Sequence, residues 1–211
     1  MSATVGRWQR LLLWSSGLIG IAVGVSLMYR ARLGVGPFDV AATGLASIAG
    51  VPAWVGVWAV TATFALGAVV LGHRLRPATL VAALAIGPAF GVALAIGPTP
   101  TTPGMRALAL GIGIATTGAG AAAQIASDLG PAPAELFTVA LADRFGRGLR
   151  ATRTPIEVSL LVLGALAGGQ LGWGTVAVAI GFPVCLAAAH RLLRPVGPAT
   201  PDPELPAAIA A

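Results

Sequence analysis

Six apolar segments dominate this chain, and each is close to the length that crosses a lipid bilayer. They cover residues 11–29, 54–72, 79–97, 107–126, 155–172 and 174–193. A helix needs roughly 20 apolar residues to cross about 30 Å of hydrocarbon. Only 9% of the 211 residues are charged and 56% are hydrophobic, which excludes an ordinary soluble domain. The segments therefore predict an all-α, polytopic membrane helix bundle with the lipid bilayer as its surroundings.

The arginines predict how this bundle is oriented. All 13 basic residues are arginine, and they cluster at the ends of the apolar segments. If both termini are cytoplasmic, ten arginines lie on the cytoplasmic side, and only Arg30, Arg32 and Arg106 lie on the other side. Cytoplasmic loops carry the excess of positive charge in membrane proteins. We therefore expect cytoplasmic termini, and we read the net charge of +6 as orientation and not as a nucleic-acid site.

The two halves of the chain match when one is shifted by 96 residues. The matched pairs are Arg10/Arg106, Gly17/Gly113, Gly24/Gly120, Gly34/Gly130, Pro37/Pro133 and Asp39/Glu135. Three spans in each half would place the second copy upside down, as in the inverted repeats of many secondary transporters. The alternative is a duplication that only builds a stable bundle.

The repeat predicts five regions along the chain. A cytoplasmic N-terminus, 1–10, precedes membrane repeat 1 at 11–97, and a proline-rich extracytoplasmic linker covers 98–105. Membrane repeat 2 covers 106–194. A tail rich in proline and alanine, 195–211, is expected to be disordered in the cytoplasm.

Each half carries a Leu-Gly-x-x-Pro-x-acid motif after its first span. Its members are Gly34, Pro37 and Asp39 in the first half and Gly130, Pro133 and Glu135 in the second. The proline suits the first position of a helix, and the acid then lies in the first turn, where the helix dipole favours it. We interpret these six residues as substrate-binding, with both acids facing a central polar cavity. The alternative is that the acids only stabilise helix ends at the membrane interface.

The stretches after these motifs, 38–50 and 134–145, are too short to span. We expect short re-entrant or interfacial helices there. If both stretches did cross, each half would have four spans and the repeats would be parallel. Nine arginines would then lie on the cytoplasmic side and four on the other side. Charge hardly separates the two topologies, whereas segment length favours six spans.

Residues 153–157 and two glycine-proline segments are further candidate features. Thr154, Pro155 and Glu157 fit a capping box with Thr154 as N-cap; Glu157 is also a candidate substrate-binding residue because acids within spans are commonly functional. Arg153 is placed to neutralise it. Gly87-Pro88 and Gly181-Phe182-Pro183 predict interruptions in the third span of each half.

Glycine pairs four residues apart, Gly20/Gly24 and Gly164/Gly168, predict close helix packing within the chain or between subunits of a homo-oligomer. The single cysteine, Cys185, excludes an intrachain disulfide. No catalytic motif, metal-ligand cluster or cofactor motif is recognisable. We therefore expect no enzyme activity, no cofactor and no metal.

Several segments together resemble the bacterial YczE/YyaS/YitT membrane proteins. These segments are 32–40, 72–74 and 79–88 in the first half, and 127–130, 153–157 and 172–176 in the second. The resemblance covers roughly residues 10 to 194 and implies a multi-spanning protein of the bacterial inner membrane. Arg32 departs from the pattern, since the family often has aspartate there.

These observations lead to two functional hypotheses. The first is a secondary transporter or permease of an unknown small solute, with Asp39 and Glu135 at its centre. The second is a non-transporting accessory or regulatory membrane protein that acts through a protein partner.

Overall fold

The computed structural model describes residues 6–193, and that part of the chain contains eight α-helices and no strand. The helices are α1 (Arg7–Ala31), α2 (Pro37–Ala49), α3 (Ala53–Val70), α4 (Pro77–Ile96), α5 (Pro103–Ser127), α6 (Pro133–Phe145), α7 (Leu149–Leu166) and α8 (Trp173–Leu193). Each of α5 to α8 begins 96 residues after its counterpart in α1 to α4. The predicted tail, 195–211, lies outside the described residues.

Five helices are long and apolar enough to cross a bilayer, namely α1, α3, α4, α5 and α8. They coincide with five of the six predicted spans. The sixth segment, 155–172, overlaps α7, whose 18 residues include Arg150, Arg153 and Glu157 and are therefore more polar. Large apolar side chains point outward, with Val70, Ile96 and Leu166 each about four-fifths exposed (78%, 81% and 82%). The chain is a polytopic helical membrane bundle, as predicted.

Two local predictions were wrong. Helices α4 and α8 run unbroken through Pro88 and Pro183, because a helix tolerates the loss of one N–H when its neighbours hold it in place. Helix α7 begins at Leu149, with Gly148 as its N-cap, so Thr154 is not an N-cap and Pro155 lies within the helix.

Helices α1 and α5 form the centre of the bundle and run antiparallel. A Cβ on Gly17 would lie 2.6 Å from the Gly120 carbonyl oxygen, and one on Gly24 would lie 2.7 Å from that of Gly113. In the repeat, Gly17 corresponds to Gly113 and Gly24 corresponds to Gly120. The contact between Gly17 and Gly120 is therefore the repeat equivalent of the contact between Gly24 and Gly113. A local two-fold axis therefore passes between the two helices, perpendicular to their length. The glycines allow the backbones to touch.

The other helices surround this pair in an order that repeats in both halves. Helix α4 runs beside α1 in the same direction, with Tyr29 packed edge-on against Phe90. Helix α8 runs beside α5 in the same way, since Gly118 contacts Cys185 and Gly181 contacts Ile114. The predicted glycine faces also pack within the chain: Gly20 contacts Gly120, and Gly164 contacts Ala41.

The bundle has two opposite ends, which we name after their arginines. The Arg32 face contains the ends of α1, α4 and α7 and the starts of α3, α5 and α8. The Arg10 face contains the opposite ends of the same helices. Of the arginines within residues 6–193, only Arg30, Arg32 and Arg106 belong to the Arg32 face.

The short helices α2 and α6 begin within the bundle and end at its faces. The loop before α2 descends along α8, where Leu33 accepts a 2.7 Å hydrogen bond from the Gly174 N–H and Gly36 lies next to Val178. Phe38 in the first turn then stacks on Phe64, midway along α3. Helix α2 ends beside the start of α3. Thirteen residues cover about 20 Å of helix, so this is the geometry of a re-entrant helix.

Candidate functional site

Asp39 lies in the first turn of α2, with Pro37 at the first helical position, as predicted. Its side chain is half-buried, and no hydrogen bond or ion pair reaches its carboxylate from residues 6–193. The carboxylate lies against Gly36, where a Cβ would be 3.5 Å from Oδ2. Asp39 is thus an acid near the middle of the bundle that has no basic partner within the described structure.

Glu135 occupies the matching place in α6, after Pro133 at the first helical position. Here the surroundings differ, because Arg153 is close enough to interact electrostatically with the carboxylate. Arg153 also pairs with Glu157 through a 2.7 Å contact between Nε and Oε1, which confirms the predicted neutralisation. The residues of the first half that correspond to Arg153 and Glu157 are Val57 and Thr61. This replacement explains why Asp39 lacks a counter-charge.

The first turns of α2 and α6 meet at one aromatic side chain. Phe38 stacks on Phe64 with ring centroids 5.7 Å apart, and Phe137 contacts the same ring edge-on at 5.1 Å. Both acid-bearing turns therefore approach the middle of the bundle from opposite faces. Asp39 and Glu135 themselves make no direct contact that the structure records.

The motif glycines have a packing role. A Cβ on Gly34 would lie 2.6 Å from Thr175 Oγ1, and one on Gly130 would lie 2.8 Å from Thr79 Oγ1. Each glycine therefore lets its loop pass close to the start of α8 or α4. Both threonines are buried, and they are 96 residues apart. Sequence reasoning missed them, although the repeat shift aligns them with each other.

A cavity of about 490 Å³ opens at the Arg32 face, between the end of α1, α2 and the loop that follows α7. Its lining residues are Tyr29, Arg32, Thr43, Ala46, Ser47, Val51, Ala53, Gly168 and Gln170. Gln170 closes its inner wall, since its Nε2 donates to the Tyr29 carbonyl (2.9 Å) and its backbone N–H donates to Thr43 Oγ1 (3.0 Å). The predicted site residues do not line this cavity.

The corresponding positions at the Arg10 face are bridged by an ion pair and a hydrogen bond. Asp128, the counterpart of Arg32, pairs with Arg10 at 2.6 Å and lies 3.9 Å from Arg76. Asp143, the counterpart of Ser47, lies 3.2 Å from His73 Nε2. Arg10 also donates to the Ser127 and Asp128 carbonyls. The two faces thus share one backbone plan but differ in their side chains, with a cavity at one face and polar bridges at the other.

An apolar groove of about 400 Å³ lies between α3, α6 and α7. Phe64, Phe137 and Pro155 are among its lining residues, and neither acid lines it. The prediction of one central cavity shared by Asp39 and Glu135 therefore stays a prediction. No group of His, Cys, Asp and Glu in the described residues is arranged to hold a metal ion.

The comparisons with known proteins give one family and one relative. An uncharacterised protein of Haemophilus influenzae is 29% identical over 166 residues, which cover 79% of this chain and 75% of that protein. No solved structure matches the chain. Neither the family nor the relative found is specific to the YczE/YyaS/YitT proteins, so the relationship to those proteins stays a prediction. Since the family model matches residues 8–191, the chain belongs to DUF6198, a family of unknown function.

Proposed function

We propose that this protein is a secondary transporter or permease of a small solute, which it exposes alternately to the two sides of the membrane. One observation carries the proposal. Positions related by the 96-residue repeat form an open cavity at the Arg32 face and polar bridges, one of them an ion pair, at the Arg10 face. Two equivalent ends in opposite states are what alternating access requires.

The antiparallel packing of α1 and α5 supports an inverted repeat. Because these helices correspond to each other, their opposite directions imply that the halves cross the membrane in opposite senses. An odd number of spans per half follows, which fits three spans plus one re-entrant helix. The parallel arrangement with four spans per half would require α1 and α5 to point the same way.

The re-entrant helices supply the polar groups of the proposed path. In lipid, non-helical backbone is tolerated only where protein or a water-filled cavity surrounds it, and the loops before α2 and α6 lie against α8 and α4. A carboxylate at membrane depth without a partner is costly, so it marks a functional position. Asp39 meets that description, and Glu135 occupies its counterpart beside Arg153.

The excess of arginines favours a cytoplasmic location for the Arg10 face. The open cavity then faces outward, and the bridges of Asp128 and Asp143 close the cytoplasmic side. Transport would break these bridges and close the outer cavity. The narrower relation to the YczE/YyaS/YitT proteins, with its bacterial inner-membrane location, belongs to this proposal.

The bridge at Asp128 gives a test that needs no known solute. Cysteines are introduced singly at Ser47, which lines the open cavity, and at Val139, the counterpart of cavity residue Thr43, in a Cys185→Ala background. We expect Asp128→Asn to speed maleimide labelling of Val139→Cys from the cytoplasmic side and to slow that of Ser47→Cys from the outer side. The side chains of the bridge are 29% and 40% exposed, so a shift of about fivefold is expected.

A matched control is Arg191→Gln, which removes an exposed charge near the end of α8 and should change neither rate. Membrane-impermeant reagent is applied to vesicles of both orientations. If Asp128→Asn changes only one of the two rates, or neither, the faces are not coupled. Recovery of a stoichiometric protein partner by crosslinking would then favour an accessory role.

A further inference from the structure

We propose that the cavity at the Arg32 face binds a small organic carboxylate, whose charged group takes the place that the Asp128 carboxylate holds at the opposite face. This inference names the substrate class of the proposed transporter and rests on that function. It also predicts binding that can be measured without transport.

The Arg32 face is positively charged. Arg30 lies in the last turn of α1 and Arg32 caps that helix, whereas the loops at this face contain no acidic residue. Arg30 donates to the Leu94 carbonyl and to Thr99, so its contacts are with neutral groups. Arg106 near the start of α5 has a buried Nε without a hydrogen-bond partner in the described structure. The face thus presents positive charge that no side chain of its loops neutralises.

Arg32 and Asp128 occupy equivalent positions in the two halves. Both end a central helix as left-handed C-caps, with φ of 54° and 50°, and both use their N–H on the carbonyl three residues back. Such a φ is uncommon outside glycine, so the shared conformation shows that the two positions are structurally matched. One position carries a cation and the other an anion.

These two positions differ in the charged residues around them. At the Arg10 face, Arg10 of α1 reaches the end of α5 and holds the Asp128 carboxylate at 2.6 Å. Arg106 is the counterpart of Arg10. The antiparallel register of α1 and α5 places the backbone of Arg106 level with Ala31, the residue that precedes Arg32. Two arginines therefore replace an arginine and a carboxylate. A carboxylate supplied by a ligand would restore the pairing at this end.

The cavity itself selects the rest of the ligand. Its volume of about 490 Å³ suits a small molecule. Arg32 and Ser47 offer donors on one side, whereas Tyr29, Val51 and Ala53 provide apolar surface. An acid with a compact apolar or aromatic body fits this combination better than a fully hydrated inorganic anion does.

The test uses benzoate as probe and its uncharged amide, benzamide, as control. The full chain carries Cys185→Ala and Ser47→Cys and is held in nanodiscs of phosphatidylcholine. We expect benzoate to slow maleimide labelling of Ser47→Cys and to bind in calorimetry, while benzamide does neither. Arg32→Gln should weaken benzoate binding about 10- to 100-fold, because a charged hydrogen bond is lost. Arg32→Lys should retain most of it, and Arg7→Gln, at the other end of α1, should leave it unchanged.

A second variant tests the equivalence of the two faces directly. Arg32→Asp supplies within the chain the carboxylate that the ligand would bring, opposite Arg106. We expect this variant to protect Ser47→Cys without benzoate and to lose benzoate binding. The inference would be overturned if, in the Arg32→Asp variant, Ser47→Cys still reacted with maleimide at the original rate and benzoate still bound.

Other outcomes separate the sources of the anion and the two proposals. Equal protection by inorganic phosphate would overturn the carboxylate assignment. Protection by added phosphatidylglycerol but not by benzoate would overturn it in favour of a lipid headgroup. Arg32-dependent benzoate binding with uncoupled faces would support this site and contradict transport. Coupled faces without benzoate binding would leave transport standing and overturn this inference.

Discussion

Replacing both mid-depth acids by their amides, Asp39→Asn with Glu135→Gln, should leave membrane insertion intact and lower solute flux roughly 100-fold. The amides keep the size of the side chains and their carbonyl oxygens, so the first turns of α2 and α6 keep their acceptors. What they remove is the charge. A hydrogen bond to a charged group is worth about 1.5–3 kcal/mol, and two such losses along one path account for a 100-fold effect.

The two single variants should differ, because the surroundings of the acids differ. Asp39 has no counter-charge among the described residues, whereas Glu135 is close to Arg153. We expect Asp39→Asn to cause the larger loss of flux. Glu135→Gln should also cost some thermal stability, because the Arg153 interaction is weakened.

The measurement begins with a solute screen. A panel of carboxylates, amino acids and sugars is tested for protection of Ser47→Cys from maleimide, and the best protector is then used in radiolabelled form. Uptake into proteoliposomes is normalised to the amount of inserted protein. If both acids only stabilise helix ends, each variant loses about 0.3–1 kcal/mol of stability, and flux per inserted molecule stays at the wild-type level. That result would remove Asp39 and Glu135 from the path.

The second large effect concerns the contact between α1 and α5. A Cβ on Gly113 would lie 2.6 Å from Met28 Cγ and 2.7 Å from the Gly24 carbonyl oxygen, so Gly113→Val must push the two backbones apart. Gly111, two residues earlier on the same helix, has no neighbouring atom within 4 Å of such a Cβ. We expect Gly113→Val to cost about 3 kcal/mol, at the upper end of overpacking effects.

Gly111→Val is the matched control, since it adds the same side chain to the same helix. It should leave stability within about 0.5 kcal/mol, as is usual for substitutions away from packed features. Unfolding in detergent or lipid nanodiscs, followed by tryptophan fluorescence or thermal shift, measures both variants. Equal losses for the two would mean that helix propensity, and not the contact with α1, determines the effect.

Much of the fold could be predicted because it is local. The apolar runs identified the long helices, and the proline of each motif lies at the first position of α2 or α6, as expected from its fixed φ and missing N–H. The repeat was visible because glycines and prolines recur at one spacing. The same local reasoning failed at Thr154 and at Pro88, because packing against neighbours decides whether a helix continues through a proline.

The candidate site was harder to predict because its contacts join distant parts of the chain. The pair of Arg10 and Asp128 spans 118 residues and depends on the antiparallel packing of α1 and α5. Thr79 and Thr175 gain their role only when loops from the other half lie against them. In the sequence, Arg32 only departs from a family pattern. Its position in the wall of a cavity depends on the three-dimensional structure.

The glycine contacts between α1 and α5 have a mechanical consequence. A two-fold axis passes between them and relates the two faces. If the two faces exchanged their arrangements, this helix pair would therefore look the same before and after. In the proposed transport cycle, this pair would stay in place while the outer helices of each half move around it. Spin labels on the outer sides of α1 and α5 should keep their mutual distance throughout the cycle. By contrast, the distance from a label on α3 to the central pair and the distance from a label on α7 to that pair should change in opposite directions.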